Sequence, residues 1–379
     1  MAKRLLIVLL SLLLTLSLSG CWNYRSLDQL NLVVGIAIDF DKQNNLFDIS
    51  YEVANKSSSD MSSDIQSRII RSQGKTLMDT ARNAKNKEAD KLFFGCSQVL
   101  VLSKDLAMEM DISSILDWFL RDAECRETLC VAISQEETAA EILKGPDKMN
   151  GIMSSIAHDI IREDRDVTGL STHSQLYEIY NALNSPRQSA VLPVLRKVKS
   201  DEGEINEING SAVIKGSRLV GFLTPQQSRG LLFAEDTLNR GVITLSLSDE
   251  MPGDDLTLEI FKNNTKKSYS YEQGLITVYI ETETNVSIDE NRSHLDVMDK
   301  QVVEQIKSAA ARKIESNIKE VADILQHKLN TDVLGFGEMI YKGDLPLWHE
   351  LAPQWEEIYP TVEVKVASKV NIINSSFNK

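Results

Sequence analysis

The feature that most limits what this chain can become is its first apolar run. Lys3 and Arg4 precede a nearly unbroken apolar stretch, residues 5–18, of about fourteen residues. A helix that crosses a bilayer needs about twenty. Fourteen matches the hydrophobic region of a signal peptide, and the two cations match the charged region before it. Leu18-Ser19-Gly20-Cys21 follows directly. Small residues ahead of a cysteine let a peptidase reach the backbone, and this arrangement is the bacterial lipobox. Residues 1–20 therefore read as a lipoprotein signal peptide. Cys21 is the expected lipidation site, with residues 21–30 as a tether. A thioether-linked diacylglycerol buries two acyl chains at about 0.8 kcal/mol per CH₂, enough for stable anchoring. No second long apolar run exists, so everything after the tether has to fold in water around its own cores.

The charge balance bears on partners. The 379 residues carry 41 Lys+Arg and 55 Asp+Glu, a net charge of -14. Removal of the signal peptide takes Lys3 and Arg4 with it and leaves 39 basic against 55 acidic groups, a balance of -16. Such a surface repels phosphate backbones and anionic headgroups. Nucleic acid is excluded as a partner on this ground, and membrane attachment is assigned to the diacylglycerol on Cys21.

Periodicity predicts a mixed α/β (α+β) fold in three segments, the first of them a sheet flanked by helices. The first spans 31–190. Strands are expected over 32–40, 46–54, 65–72, 92–102 and 128–134, with helices over 76–85, 112–120, 136–143 and 175–183. In 46–54 the alternation is clean: Phe47, Ile49, Tyr51 and Val53 against Asp48, Ser50 and Glu52. A small middle α+β domain is expected over 191–240. Its strands 211–215 and 218–223 flank Gly216-Ser217, suited to a tight hairpin turn. A helix then opens at Thr224-Pro225 with Gln227 closing a capping box. The third domain spans 241–379. It holds antiparallel strands at 241–248, 256–261 and 275–286 and a long helix over 295–329. On that helix Met298, Val302, Ile306, Ala309, Ile314, Ile318, Val321 and Leu325 share one face. A second helix is capped by Asp344 and carries Trp348, Leu351, Trp355 and Ile358. A closing strand runs over 361–366.

Catalytic patterns are sought and not met. Gly74-Lys75-Thr76 ends like a P-loop, but the glycine needed five positions before Gly74 is Ile69. Gly335-Phe336-Gly337 begins a dinucleotide fingerprint, but the third glycine position is Ile340. The histidines at 158, 173, 294, 327 and 349 lack metal-binding spacing, and there is no nucleophile elbow. The pairs Glu235-Asp236 and Asp254-Asp255 read as solvated charges, and the Trp348/Trp355 stripe as core. Besides Cys21 the cysteines are Cys96, Cys125 and Cys130, without CxxC spacing, and read as buried thiols. No catalytic residue, cofactor or metal is assigned, and the chain is expected not to be an enzyme.

Several segments together resemble the Ger(x)C family of spore germination lipoproteins, the C subunits of nutrient germinant receptors. They are Gly20-Cys21-Trp22-Asn23 with Arg25 and Leu27, Gly35-Ile36-Ala37-Ile38-Asp39, Lys91-Leu92-Phe93-Phe94-Gly95, Asp117-Trp118-Phe119-Leu120-Arg121-Asp122 with Arg126, Ser228-Arg229-Gly230, and Asp332-Val333-Leu334-Gly335-Phe336-Gly337-Glu338 with Pro346, Trp348 and Trp355. The likeness covers nearly the whole chain after Cys21. Departures are Ser26 for a common Glu, Ala37 for a usual Gly, and Cys96 for a common His. The resemblance implies three α/β-type domains, each with a central β-sheet flanked by helices, and a non-catalytic subunit in the spore inner membrane. Its partners would be two integral membrane subunits of A and B type, in a complex that senses small nutrients. The competing reading is a stand-alone solute-binding lipoprotein. That class is built from two similar halves, and no such duplication is visible here.

Overall fold

The computed structural model describes residues 1, 3–5, 26, 29–55, 66–146, 151–172, 174–185, 188–201, 203–246, 255–292 and 295–374. The strands among them form two sheets. The first has nine strands: β1 (Leu30–Asp41), β2 (Leu46–Ala54), β3 (Ser67–Gly74), β4 (Lys91–Phe93), β5 (Val99–Ser103), β6 (Cys130–Ser134), β7 (Ser189–Ser200), β8 (Gly203–Lys215) and β9 (Arg218–Leu223). Their order is β3-β2-β1-β5-β6-β7-β8-β9, with β4 added beside the start of β1. The middle pairs β1–β5–β6–β7 are parallel, and the two flanks are antiparallel.

Parallel central strands need cover on both faces, and the sequence supplies it. In β5, Leu100 and Leu102 join one apolar layer, while Val99 and Val101 join the other. The first layer is closed by α1 (Leu77–Lys85), α2 (Lys104–Glu109), α3 (Ile112–Arg121) and α5 (Leu176–Leu183). The second is closed by α4 (Met153–Val167) and a 3-10 turn at Ala139–Leu143.

The second sheet runs β10 (Gly241–Ser246), β11 (Asp255–Glu272), β12 (Leu275–Asn291), β13 (Glu363–Asn374). The first three are antiparallel, as the sequence predicts, whereas β13 lies parallel to β12. A parallel return requires a crossover. It is made by α7 (Lys300–Asp323), a π turn at Ile324–Lys328, α8 (Phe336–Gly343), α9 (Leu345–Leu351) and α10 (Trp355–Ile358). Between the sheets lies α6 (Pro225–Ala234). Its Leu231–Ala234 share one core with α7, with the second sheet, and with Val213 and Leu223 of the first.

Local signals are met where the cap or turn is local. Thr76 accepts from the Asp79 amide, Thr224 and Gln227 form a reciprocal capping box, and Asp344 accepts from the Leu347 amide. Gly216 takes φ +60° in the β8–β9 turn.

The structure departs from the sequence reading in five places. Strands β8 and β9, expected in a separate middle unit, continue the first sheet through β7, which the sequence does not signal. Parallel pairing of Ile133 and Ser134 with Val194 and Leu195 carries the hydrogen bonding across. The strand expected over 92–102 is two strands broken by a 3-10 turn at Phe94–Cys96. The helix expected over 136–143 is only the turn at Ala139–Leu143, because Asp39 holds the Ala139 and Ala140 amides (2.7 and 3.2 Å). On α7, Asp299 caps from outside, so Met298 precedes the helix and is exposed. Finally, α4 has no sequence signal. Its buried face includes Ser154 and Asp164, and its first amides are satisfied from another strand.

Candidate functional site

Cys21, the predicted lipidation residue, lies outside the described residues, with the rest of the lipobox and Trp22, Asn23, Arg25 and Leu27. Leu30, nine positions on, begins β1 and sits opposite Lys91 of β4. Among the described residues, no helix is long and apolar enough to cross a membrane.

The other segments singled out in the sequence build joints between elements. In β1, Gly35 faces Glu52 of β2. A Cβ on Gly35 would lie 2.2 Å from Ser154 Cβ, so the N-terminus of α4 approaches the sheet only over a glycine. Glu52 is fully buried and accepts from the Met153 and Ser154 amides (2.8 and 2.7 Å) and from the Ser67 and Ser154 hydroxyls. An anion at a helix N-terminus is favoured there by the helix dipole. Asp39, at the other end of this strand, anchors the 139–143 turn. Burial pushes its carboxyl up, against the two amide hydrogen bonds.

Phe94 and Trp118 link β4 to α3. Their rings are 6.1 Å apart, edge to face, and Tyr51 meets Phe94 at 5.9 Å. Asp117 pairs with Arg121 one turn on (2.6 Å). Beside them is a groove of about 660 Å³ floored by Leu92, Phe94 and Trp118.

Arg229 ties the layers together. Its guanidinium donates to the carbonyls of Val242 (2.8 Å) and Thr168 (3.1 Å), joining α6 to β10 and to the end of α4. Asp164 lies within its field. This carboxylate accepts from the Leu170 and Ser171 amides and the Thr168 hydroxyl. Burial pushes Asp164 up despite those bonds, and burial lowers Arg229 against the pull of Asp164. Next to Arg229, a Cβ on Gly230 would meet the Asn317 carbonyl oxygen at 2.4 Å, so α6 and α7 touch backbone to backbone. Among the described residues, the buried Ser228 hydroxyl has no hydrogen-bond partner.

Asp332 organises the C-terminal signature. It accepts from the Phe336 amide (2.8 Å), the Gly337 amide (2.7 Å) and the Trp355 indole (3.2 Å). Trp355 and Trp348 pack edge to face at 5.3 Å. Ser189 of β7 donates to the Asp332 carbonyl, so the signature also touches the first sheet.

These contacts define the chemistry on offer. The amides of the Gly335-Phe336-Gly337 turn are taken by Asp332, and in Gly74-Lys75-Thr76 the Lys75 amide is taken by Asp79 (3.0 Å). Glu235 pairs with Lys267 and Asp236 accepts the Thr265 amide. His158 and His327 each sit beside an aspartate on their own helix. His173, His294 and Asp254 lie outside the described residues. Among the described residues, no three His, Cys, Asp or Glu side chains are grouped to hold a metal. Cys96, Cys125 and Cys130 are free thiols, and burial pushes Cys125 and Cys130 up to about 12. A cavity of about 450 Å³ lies between α5, β7 and the end of α6, with Arg165, Glu178, Glu235 and Asp236 among its polar lining.

Known proteins share this architecture and sequence. The family described as "Spore germination protein N-terminal domain" matches residues 23–197, and "Spore germination B3/ GerAC like, C-terminal" matches residues 209–376. Spore germination protein B3 of Bacillus subtilis (strain 168) is 24% identical over 370 residues, covering 95% of each chain. Spore germination protein A3 of the same organism is 24% identical over 375 residues, covering 98% of this chain and 97% of its own. The crystal structure of the GerBC protein superposes with a TM-score of 0.59 at 20% identity, covering 90% of this chain and 97% of that one. The chain belongs to the Ger(x)C family of spore germination proteins.

Proposed function

We propose that this chain is the lipid-anchored, non-catalytic C subunit of a nutrient germinant receptor. It is held by diacylglycerol on Cys21 to the exported side of the spore inner membrane, beside integral membrane subunits of A and B type. The observation that carries the reading is the use of the family's signature residues. Gly35, Asp39, Arg229, Gly230 and Asp332 each fix one element against another. The buried carboxylates Glu52, Asp164 and Asp332 accept main-chain amides. Residues committed in this way shape a surface for assembly. Deleting the chain should abolish germination triggered by one set of nutrients while germination by non-nutrient agents persists. An unchanged nutrient response would refute the role.

The cavity of about 450 Å³ favours a second reading, in which this chain itself takes the nutrient. Its volume lies within the range of small-ligand sites. Titration calorimetry of the protein with amino acids and sugars separates the two. The assembly reading expects no saturable heat, and a micromolar site, about 8 kcal/mol of binding free energy, would favour the solute-binding lipoprotein.

A further inference from the structure

We propose that the face formed by β3, α1 and the groove beside β4 rests on anionic phospholipid headgroups and sets the tilt of the anchored body. Residues 66–91 carry seven cations (Arg68, Arg71, Lys75, Arg82, Lys85, Lys87 and Lys91) against Asp79, Glu88 and Asp90, a local balance of +4 in a chain of -14. The structure brings these cations to one edge of the first sheet. Three are neutralised: Arg68 by Glu88, Arg71 by Asp48 and Lys91 by Glu124. Lys85 and Lys87 donate only to carbonyls, those of Glu88 and Ala89 and that of Arg71. Among the described residues, Lys75, Arg82, Lys85 and Lys87 have no carboxylate partner, and all four are exposed. Met78 lies exposed between them, and the groove, whose charged lining is Arg82, Lys85, Lys91 and Arg121 against Asp122 and Glu124, has Trp118 in its floor. Cations around an indole and exposed apolar side chains suit the boundary between headgroups and acyl chains.

Two observations select a membrane as the occupant. The first is charge complementarity against an otherwise acidic protein. Whole-chain charge forbids anionic surfaces only at long range. At about 0.1 M salt the Debye length is about 10 Å, so close to a surface this face governs, its balance about +2 once Asp48 and Glu124 are counted with Asp79, Glu88 and Asp90 against the seven cations. The second is the position of the anchor. Leu30 neighbours Lys91 in the sheet and lies nine positions after Cys21. Nine residues reach at most about 32 Å when fully extended, so lipid on Cys21 keeps this edge close to the bilayer. The orientation therefore rests on the anchor assigned above. Each Lys or Arg at an anionic surface is worth roughly fivefold in affinity, so four act together strongly.

The test uses the full chain, reconstituted into vesicles of phosphatidylcholine alone and of phosphatidylcholine with phosphatidylglycerol. Flotation with the neutral vesicles reads the anchor. Hydrogen exchange at the amides of 76–91 reads the face. Exchange should slow severalfold on the anionic vesicles only, and recover in about 1 M salt, where the Debye length is about 3 Å. The triple variant Arg82→Glu, Lys85→Glu, Lys87→Glu should lose the slowing with exchange in α7 unchanged. Arg82→Lys with Lys85→Arg and Lys87→Arg should keep it. A chain that floats with neutral vesicles but exchanges equally on both kinds overturns the proposal and leaves the face to an acidic protein segment. A chain that fails to float with neutral vesicles yet slows on anionic ones retains the face and loses the anchor. Flotation with neither overturns both.

Discussion

Replacing Asp332 by alanine tests whether the C-terminal signature is a structural hub. The carboxylate is 7% exposed and holds the Phe336 and Gly337 amides at 2.8 and 2.7 Å, both residues being buried. A hydrogen bond to a charged group contributes about 1.5–3 kcal/mol, and an orphaned buried donor costs about 1–3 kcal/mol. Counting only the two buried amides, and not the Trp355 indole, Asp332→Ala should destabilise by about 3–5 kcal/mol. That is a large share of the roughly 5–15 kcal/mol that holds a typical protein folded. Asp332→Asn keeps an acceptor oxygen but sacrifices the charge, and should fall about midway. Trp355 and Trp348 lie beside the hub, so urea unfolding followed by tryptophan fluorescence reports on it. For a chain of 379 residues the m value lies above the roughly 3 kcal/mol/M upper end of small proteins, so the alanine midpoint should drop by about 0.5–1 M. A loss below about 1 kcal/mol, less than one charged hydrogen bond, would refute the hub.

Three further outcomes follow from the same contacts. Gly230→Ala puts a Cβ 2.4 Å from the Asn317 carbonyl; forcing α6 and α7 apart should cost about 1–3 kcal/mol, read by thermal melting, and an unshifted melt would contradict the backbone contact. For Asp164, burial raises the folded-state pKa above the ordinary aspartate value of 3.8, so the folded state binds the extra proton and stability declines as pH climbs from 3.8 through the folded value. Asp164→Asn should remove that downward component, and urea titrations across this window with parallel wild-type and variant slopes would count against it. Cys125 and Cys130 are pushed to about 12 by burial, which leaves about one thiolate in 10⁴ at pH 8. Iodoacetamide should spare both in the native protein and modify both in denaturant; rapid native labelling of Cys130 would show that the β6 core is open.

What the sequence revealed depended on how far apart the interacting residues lie. Thr76, Thr224 with Gln227, Gly216 and Asp344 act on neighbours within three residues, and the helix or turn each opens is present, although the helix opened by Asp344 ends at Leu351 and leaves Trp355 and Ile358 to α10. The start of α4 was invisible because its cap, Glu52, comes from 101 positions earlier. Strand β7 was hidden by Pro193, which sits where the β7–β8 register shifts, the place a strand tolerates proline. The signature residues were recognisable as a pattern, but their work was not. Nothing local tells that Gly230 faces Asn317, or that Arg229 reaches Val242 and Thr168. The net charge concealed a basic face because a sum discards position.

Co-isolation from spore membranes tests the central claim most directly. A tagged form of this chain, solubilised in mild detergent and affinity-purified, should bring down two integral membrane proteins, one of them permease-like. Cys21→Ala should lose both the lipid label supplied as fatty acid and the co-purifying pair. Recovery of the chain alone from membranes that contain those proteins, or an undiminished complex with unlabelled Cys21→Ala, would contradict a lipid-anchored receptor subunit.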